Sequence, residues 1–83
     1  MKLSEHAKSK LEIYEIPGAE IIEQCHKPIY ELCDTYEETQ IRIIQLRKIL
    51  FAVIINNKTN TIITVYRTDI KTINNRLKNK RWI

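Results

Sequence analysis

The sequence predicts an α+β fold: two N-terminal helices packed on a four-stranded antiparallel sheet, followed by a basic C-terminal tail or short helix. The whole forms one domain over residues 1–83. Three observations predict it. Apolar residues recur at helical spacing as far as Cys25. From Ile29 to Arg67 they gather instead into β-branched and aliphatic runs of strand length. Turn-forming residues, Pro17-Gly18, Pro28 and Asn56-Asn57, separate the runs.

Ser4 is a suitable N-cap for the first helix, with Glu5 in its first turn, where the helix dipole favours an anion. Ala7, Leu11 and Tyr14 then line one face. Ile16-Pro17-Gly18 ends this helix and opens a second, from Ala19 to about His26, burying Ile21, Ile22 and Cys25. Pro28 ends the second helix, because the residue before a proline is pushed toward extended geometry. Ile29 to Tyr36 reads as a first strand with Tyr30, Leu32 and Asp34 on one face, closed by a turn at Glu37-Glu38. Gln40–Leu46 alternates, with Arg42 facing away from Ile41 and Ile43. Ile49–Ile55 is apolar on both faces, the mark of a central strand. Arg47-Lys48 must reverse the chain between these two strands without Gly or Pro; one long bent strand is the alternative. Asn56–Asn60 is a hairpin loop, since Asn tolerates left-handed geometry. Thr61–Arg67 is a strand with Ile63 and Val65 on one face and Ile62, Thr64 and Tyr66 on the other. Ile70–Ile83 reads as a short helix built on Ile70, Ile73 and Leu77, capped by Asp69 or Thr68 and frayed by Asn74, Asn75 and Asn79.

Charge is distributed unevenly along the chain. Residues 39–83 hold ten Lys or Arg against Asp69 alone, whereas residues 1–38 hold four Lys against nine acids, so the net charge of +4 conceals the asymmetry. Cations concentrated on one half of a small fold are the footprint of a polyanion binder, most often of nucleic acid. A chain of 83 residues has a thin core and no room for a large substrate cavity. A shallow surface groove suits a polymer better than a metabolite. No run approaches the roughly 18 apolar residues of a membrane span. Met1–His6 lacks the apolar core of a signal peptide, which predicts a cytoplasmic protein. Cys25 and Cys33 then stay reduced, and their spacing fits neither a redox pair nor a zinc knuckle. No carboxylate pair has metal-nuclease spacing and the single Gly18 excludes a phosphate loop, so no cofactor or metal is expected.

Several segments carry a family resemblance. Ser4-Glu5-His6-Ala7 opens one helix and Ile16-Pro17-Gly18-Ala19-Glu20-Ile21 a second; Pro28-Ile29-Tyr30-Glu31 and Thr64-Val65-Tyr66-Arg67-Thr68 follow in order. Together they resemble a group of small prokaryotic and phage proteins catalogued as a domain of unknown function, itself similar to the RelE/ParE toxin superfamily. The resemblance runs from about Leu3 to Asp69. It implies two helices on a curved antiparallel sheet and a metal-independent endoribonuclease, the toxin of a toxin–antitoxin pair. Lys10 and Tyr14 stand where the group carries helix-one arginines. ParE-like members act on DNA gyrase, so the superfamily alone does not fix the target.

Metal-free RNA cleavage needs a base for the 2′-hydroxyl, cations for the transition state and an acid for the leaving oxygen. His6 is the acid/base candidate, in the first turn of a helix whose positive end attracts phosphate. Tyr66 could stack on a base or aid proton transfer, and Arg67 could clamp the phosphate with its planar fork. Arg42 could join Arg67 in one concave site on a sheet face. Lys10, Arg47, Lys48, Lys71, Arg76, Lys78, Lys80 and Arg81 are expected to track backbone phosphates. Trp82 more simply docks the tail on the core, and His26 closes a helix as a cationic last turn. The expected partners are RNA, free or on the ribosome, and an acidic antitoxin; no membrane is expected, and a homodimer is compatible with the sequence. Two alternatives stand beside the enzyme: a non-catalytic nucleic-acid-binding phage or plasmid regulator, and a protein-interaction module that grips a partner by its sheet edge or basic tail.

Overall fold

Two residues ahead of the first helix decide the topology. In the computed structural model, which describes residues 1–83, Lys2–Leu3 forms strand β1 and pairs in parallel with β5 (Thr61–Thr68). β2 (Tyr30–Cys33), β3 (Gln40–Leu46), β4 (Ile49–Asn56) and β5 are antiparallel neighbours, giving a five-stranded mixed sheet in the order β1-β5-β4-β3-β2. Helices α1 (Glu5–Tyr14), α2 (Gly18–Cys25) and α3 (Ile70–Lys78) complete the fold. The expected four-stranded antiparallel sheet with two N-terminal helices is therefore corrected to a five-stranded mixed sheet with three helices. A two-residue strand has no periodicity to read. Its existence rests on long-range bonds, Lys2 N–H to the Asn60 carbonyl and Ser4 N–H to the Ile62 carbonyl.

Ser4 joins helix to sheet. Its side-chain oxygen accepts from Ala7 N–H at 3.0 Å, the N-cap bond, and its hydroxyl donates to the Ile63 carbonyl at 2.6 Å. α1 ends at Glu15, left-handed at φ 58°, with Ile16 N–H bonded back to the Leu11 carbonyl. The chain then enters α2 through Pro17 and Gly18, where a Cβ would lie 2.8 Å from Leu3 Cδ1. A side chain here would have to push the Leu3 methyl aside.

The β3–β4 connection is a two-residue hairpin turn, with Arg47 and Lys48 both at positive φ (52° and 66°). These angles match the type I′ turn that the twist of the strands demands, although neither residue is favoured there. The register of β4 against β5 slips between Ile54 and Ile55. One extra residue in β5 puts Ile62 and Val65 in the same core, where simple alternation assigned them to opposite faces. β2 stops at Cys33, short of the expected Tyr36, because the Asp34 carboxylate turns the chain by accepting from Tyr36 and Glu37 N–H.

Alternation along the strands builds two cores. Ile44, Leu46, Phe51, Val53, Ile55, Ile62 and Val65 meet Ala7, Leu11, Ile16, Ile21 and Cys25 from the α1/α2 layer. On the opposite face Leu32, Ile41, Ile43 and Ala52 meet Ile73 and Trp82. The last residues return along the outer side of β2: Cys33 and Ile83 exchange two backbone bonds, and Thr35 N–H donates to the Arg81 carbonyl. No helix is long and apolar enough to cross a membrane.

Candidate nucleic-acid interface

α3 follows β5 after a single residue, Asp69, whose carboxylate caps the helix by accepting from Thr72 N–H at 2.7 Å. That bond holds the Asp69 carboxyl below its ordinary range. Burial of Ile73 then fixes the helix's rotation. Lys71, Asn74, Asn75 and Lys78, at i, i+3, i+4 and i+7, consequently share one exposed face. No acid occurs from Ile70 to Ile83, and neither lysine makes an ion pair within the chain. Arg76 and Lys78 also fall in the last turn, where cations suit the helix dipole.

Beside this face lies a groove of ≈ 500 Å³ lined by Tyr66, Arg67, Thr68, Asp69, Thr72 and Arg76. Two of its polar atoms, Thr68 Oγ1 and Arg76 Nε, are buried without a protein partner. The Arg76 guanidinium stacks on the Trp82 ring, 5.2 Å from its centroid. Burial raises the Tyr66 hydroxyl above its ordinary range, against the opposing pull of Arg76, so the phenol stays protonated at neutral pH.

His6 apart, the sequence-predicted residues separate into three groups. Tyr66, Arg67, Lys71, Arg76 and Lys78 come together at the β5–α3 junction and along α3. Arg47 and Lys48 occupy the β3–β4 turn, and Lys80, at φ 62°, the turn after α3. Arg42, Arg81 and Lys10 are engaged or set apart. Arg42 Nη1 donates to the Cys25 carbonyl at 2.9 Å and its Nε lies 3.8 Å from Glu31, so it closes the C-terminus of α2. Arg81 Nε donates to both Asp34 carboxylate oxygens at 3.1 Å while its guanidinium stacks on Tyr36. Lys10 lies half-buried on α1.

His6 is exposed in the first turn of α1, next to Ser4 and hence close to Ile63. Arg67 is level with the other end of that helix: it pairs in register with Phe51, whose ring meets Tyr14 edge-on at 5.3 Å. Eight residues of helical rise, about 12 Å, separate the levels of His6 and Tyr14. His6, Arg42 and Arg67 thus lie in three places rather than around one concave site.

Asn74, Asn75, Thr68 and Thr72 belong to the candidate interface, although none was a candidate contact in the sequence. The two asparagines read there as helix-weakening; their spacing with Lys71 and Lys78 was the usable signal. Elsewhere, Cys25 is buried and its thiol pushed up to about 11 by burial, against the pull of Arg42. Cys33 is exposed, both cysteines are free, and no three His, Cys, Asp or Glu side chains gather as a metal site. No family model, curated protein or solved structure matches this chain.

Proposed function

We propose that the protein binds nucleic acid through the outward face of α3 and the adjoining β5–α3 groove. The observation that carries this reading is the Lys71–Asn74–Asn75–Lys78 face, unpaired and free of acids, on a helix whose rotation the core fixes. Lysines in such positions contact phosphates and release counterions, while asparagine side chains can pair with base edges. Arg67 and Arg76, with Tyr66, extend the cationic surface into the groove.

Fluorescence anisotropy with a labelled single-stranded RNA and a DNA duplex of the same sequence tests this. Binding should be salt-sensitive, and Lys71→Ala with Lys78→Ala should weaken it about tenfold and flatten its salt dependence by about two ion equivalents. Lys8→Ala on α1 serves as the control and should change nothing. No binding to either probe at 50 mM salt, or equal loss from Lys8→Ala, would overturn the reading.

A second reading rests on the exposure of His6 at the positive end of α1, together with the resemblance to RelE/ParE-like toxins. It is a metal-independent endoribonuclease paired with an acidic antitoxin. It requires His6 and Arg67 to share a phosphodiester across the length of α1, which is why binding is placed ahead of cleavage. RNA cleavage that persists in chelator and disappears in His6→Ala would reverse that order.

A further inference from the structure

The strongest unassigned feature lies on the other side of Arg67. Between the C-terminal end of α1 and the β3–β4 turn is a cleft of ≈ 230 Å³, lined by Ile13, Tyr14, Ile16, Leu46, Ile49 and Phe51, with Arg47 and Arg67 as its only charged residues. We propose that this cleft binds a small monocarboxylate with an apolar body.

The lining specifies the chemistry. Five aliphatic or phenyl side chains and the Tyr14 ring favour a hydrocarbon body by removing its surface from water. The cleft is smaller than the pockets that enclose drug-sized molecules, so the body must be small. A nucleobase suits it poorly, because the Tyr14 hydroxyl is the only uncharged side-chain polar group available to its hydrogen-bonding edge. The head group is set by the two guanidinium groups. The Arg67 side chain is exposed and makes no hydrogen bond or ion pair within the chain. Arg47 makes only long contacts, 3.5 Å to the Glu15 carbonyl and 3.4 Å to Glu20, and both groups are largely solvated. A carboxylate that reached both would accept from planar donors, in competition with the long Arg47–Glu20 contact. Arg47 stands in the hairpin turn and Arg67 opposite Phe51 on β5, and both line the cleft.

Amide chemical-shift titration of the full chain with octanoate, 1-octanol and acetate separates body from head. Octanoate should move the amides of Ile13, Leu46, Arg47 and Arg67 saturably, at least about tenfold more tightly than octanol or acetate. Arg67→Gln, at an exposed position, should keep the spectrum dispersed and bring octanoate down to the level of octanol. Lys71→Ala with Lys78→Ala should leave octanoate binding intact, which keeps this result independent of nucleic-acid binding. Equal affinity for octanoate and octanol, shifts centred elsewhere, or tighter binding of adenosine monophosphate at the same amides would each overturn the proposal. So would a tripeptide ending in Phe that binds there while octanoate does not, since the occupant would then be a chain terminus.

Discussion

The two layers that flank the sheet differ in how they are held and in the charge they carry. The α1/α2 layer covers a core of 12 buried residues and carries Glu5, Glu12, Glu20 and Glu23 on its helices, with Glu15 at the end of α1. The layer formed by α3 and the tail covers a core of 6, and bears only cations. Hydrophobic area anchors the first. The second is held by Ile73, by the indole of Trp82 and by a polar clip, the Asp34 carboxylate gripping Arg81. A thin layer with a fixed orientation suffices to present charge. The lesson is that the cationic surface depends on very few buried groups.

Removing the anchor of the thin layer should give the largest effect. Trp82→Ala takes away a side chain that is 1% exposed and should cost about 3–5 kcal/mol, measured by urea unfolding followed by circular dichroism. Hydrogen exchange should show α3 loosened before the rest; uniform loss of protection would mean that the two layers unfold as one unit. Ile21→Ala, in the thick layer, should cost about 2–5 kcal/mol and loosen α1 and α2 instead.

Asp34→Ala should cost about 1–3 kcal/mol, since it strands the Arg81 guanidinium and two backbone N–H groups. The same clip makes the thin layer acid-labile. Burial pushes the Asp34 carboxyl up, but Arg81 and the N–H groups of Glu37 and Tyr36 outweigh it and hold it below its ordinary 3.8. A carboxyl lowered in the folded state stabilises fully above 3.8, and that stability is lost as pH falls through the lowered value. The pH dependence of melting below 3.8 should therefore flatten in Asp34→Asn. The smallest effect is a gain. Replacing Arg47 and Lys48 together by Asn and Gly relieves two left-handed residues and should add about 1 kcal/mol, while also weakening octanoate binding.

Much of the fold was legible in the sequence because local chemistry sets it. Ser4 and Asp69 cap helices through their own side chains, Pro17-Gly18 opens α2, and Asn56 organises its loop by accepting from Lys58 and Thr59 N–H. β4, apolar on both faces, is the middle strand of the sheet. Less of the candidate site was legible. Arg42 alternates with Ile41 and Ile43 as read, but nothing local shows that the end of α2 will arrive to take its guanidinium. Asn74 and Asn75 have poor helix propensity taken singly; burial of Ile73 on the sheet overrides it and turns them outward.

From its residues alone, this chain had its helix starts, its Asn56–Asn60 hairpin loop and the segregation of acids from cations, all properties of neighbours a few positions apart. Only the folded chain settled the rest: that α3 crosses to the free face of the sheet, that Lys2 and Leu3 add a parallel strand, and that His6 and Arg67 stand at opposite ends of α1. Periodicity reports which side of an element seeks cover. What provides that cover is decided by contacts such as Ser4 to Ile63, 59 residues apart, whose free energy appears only once the sheet has closed.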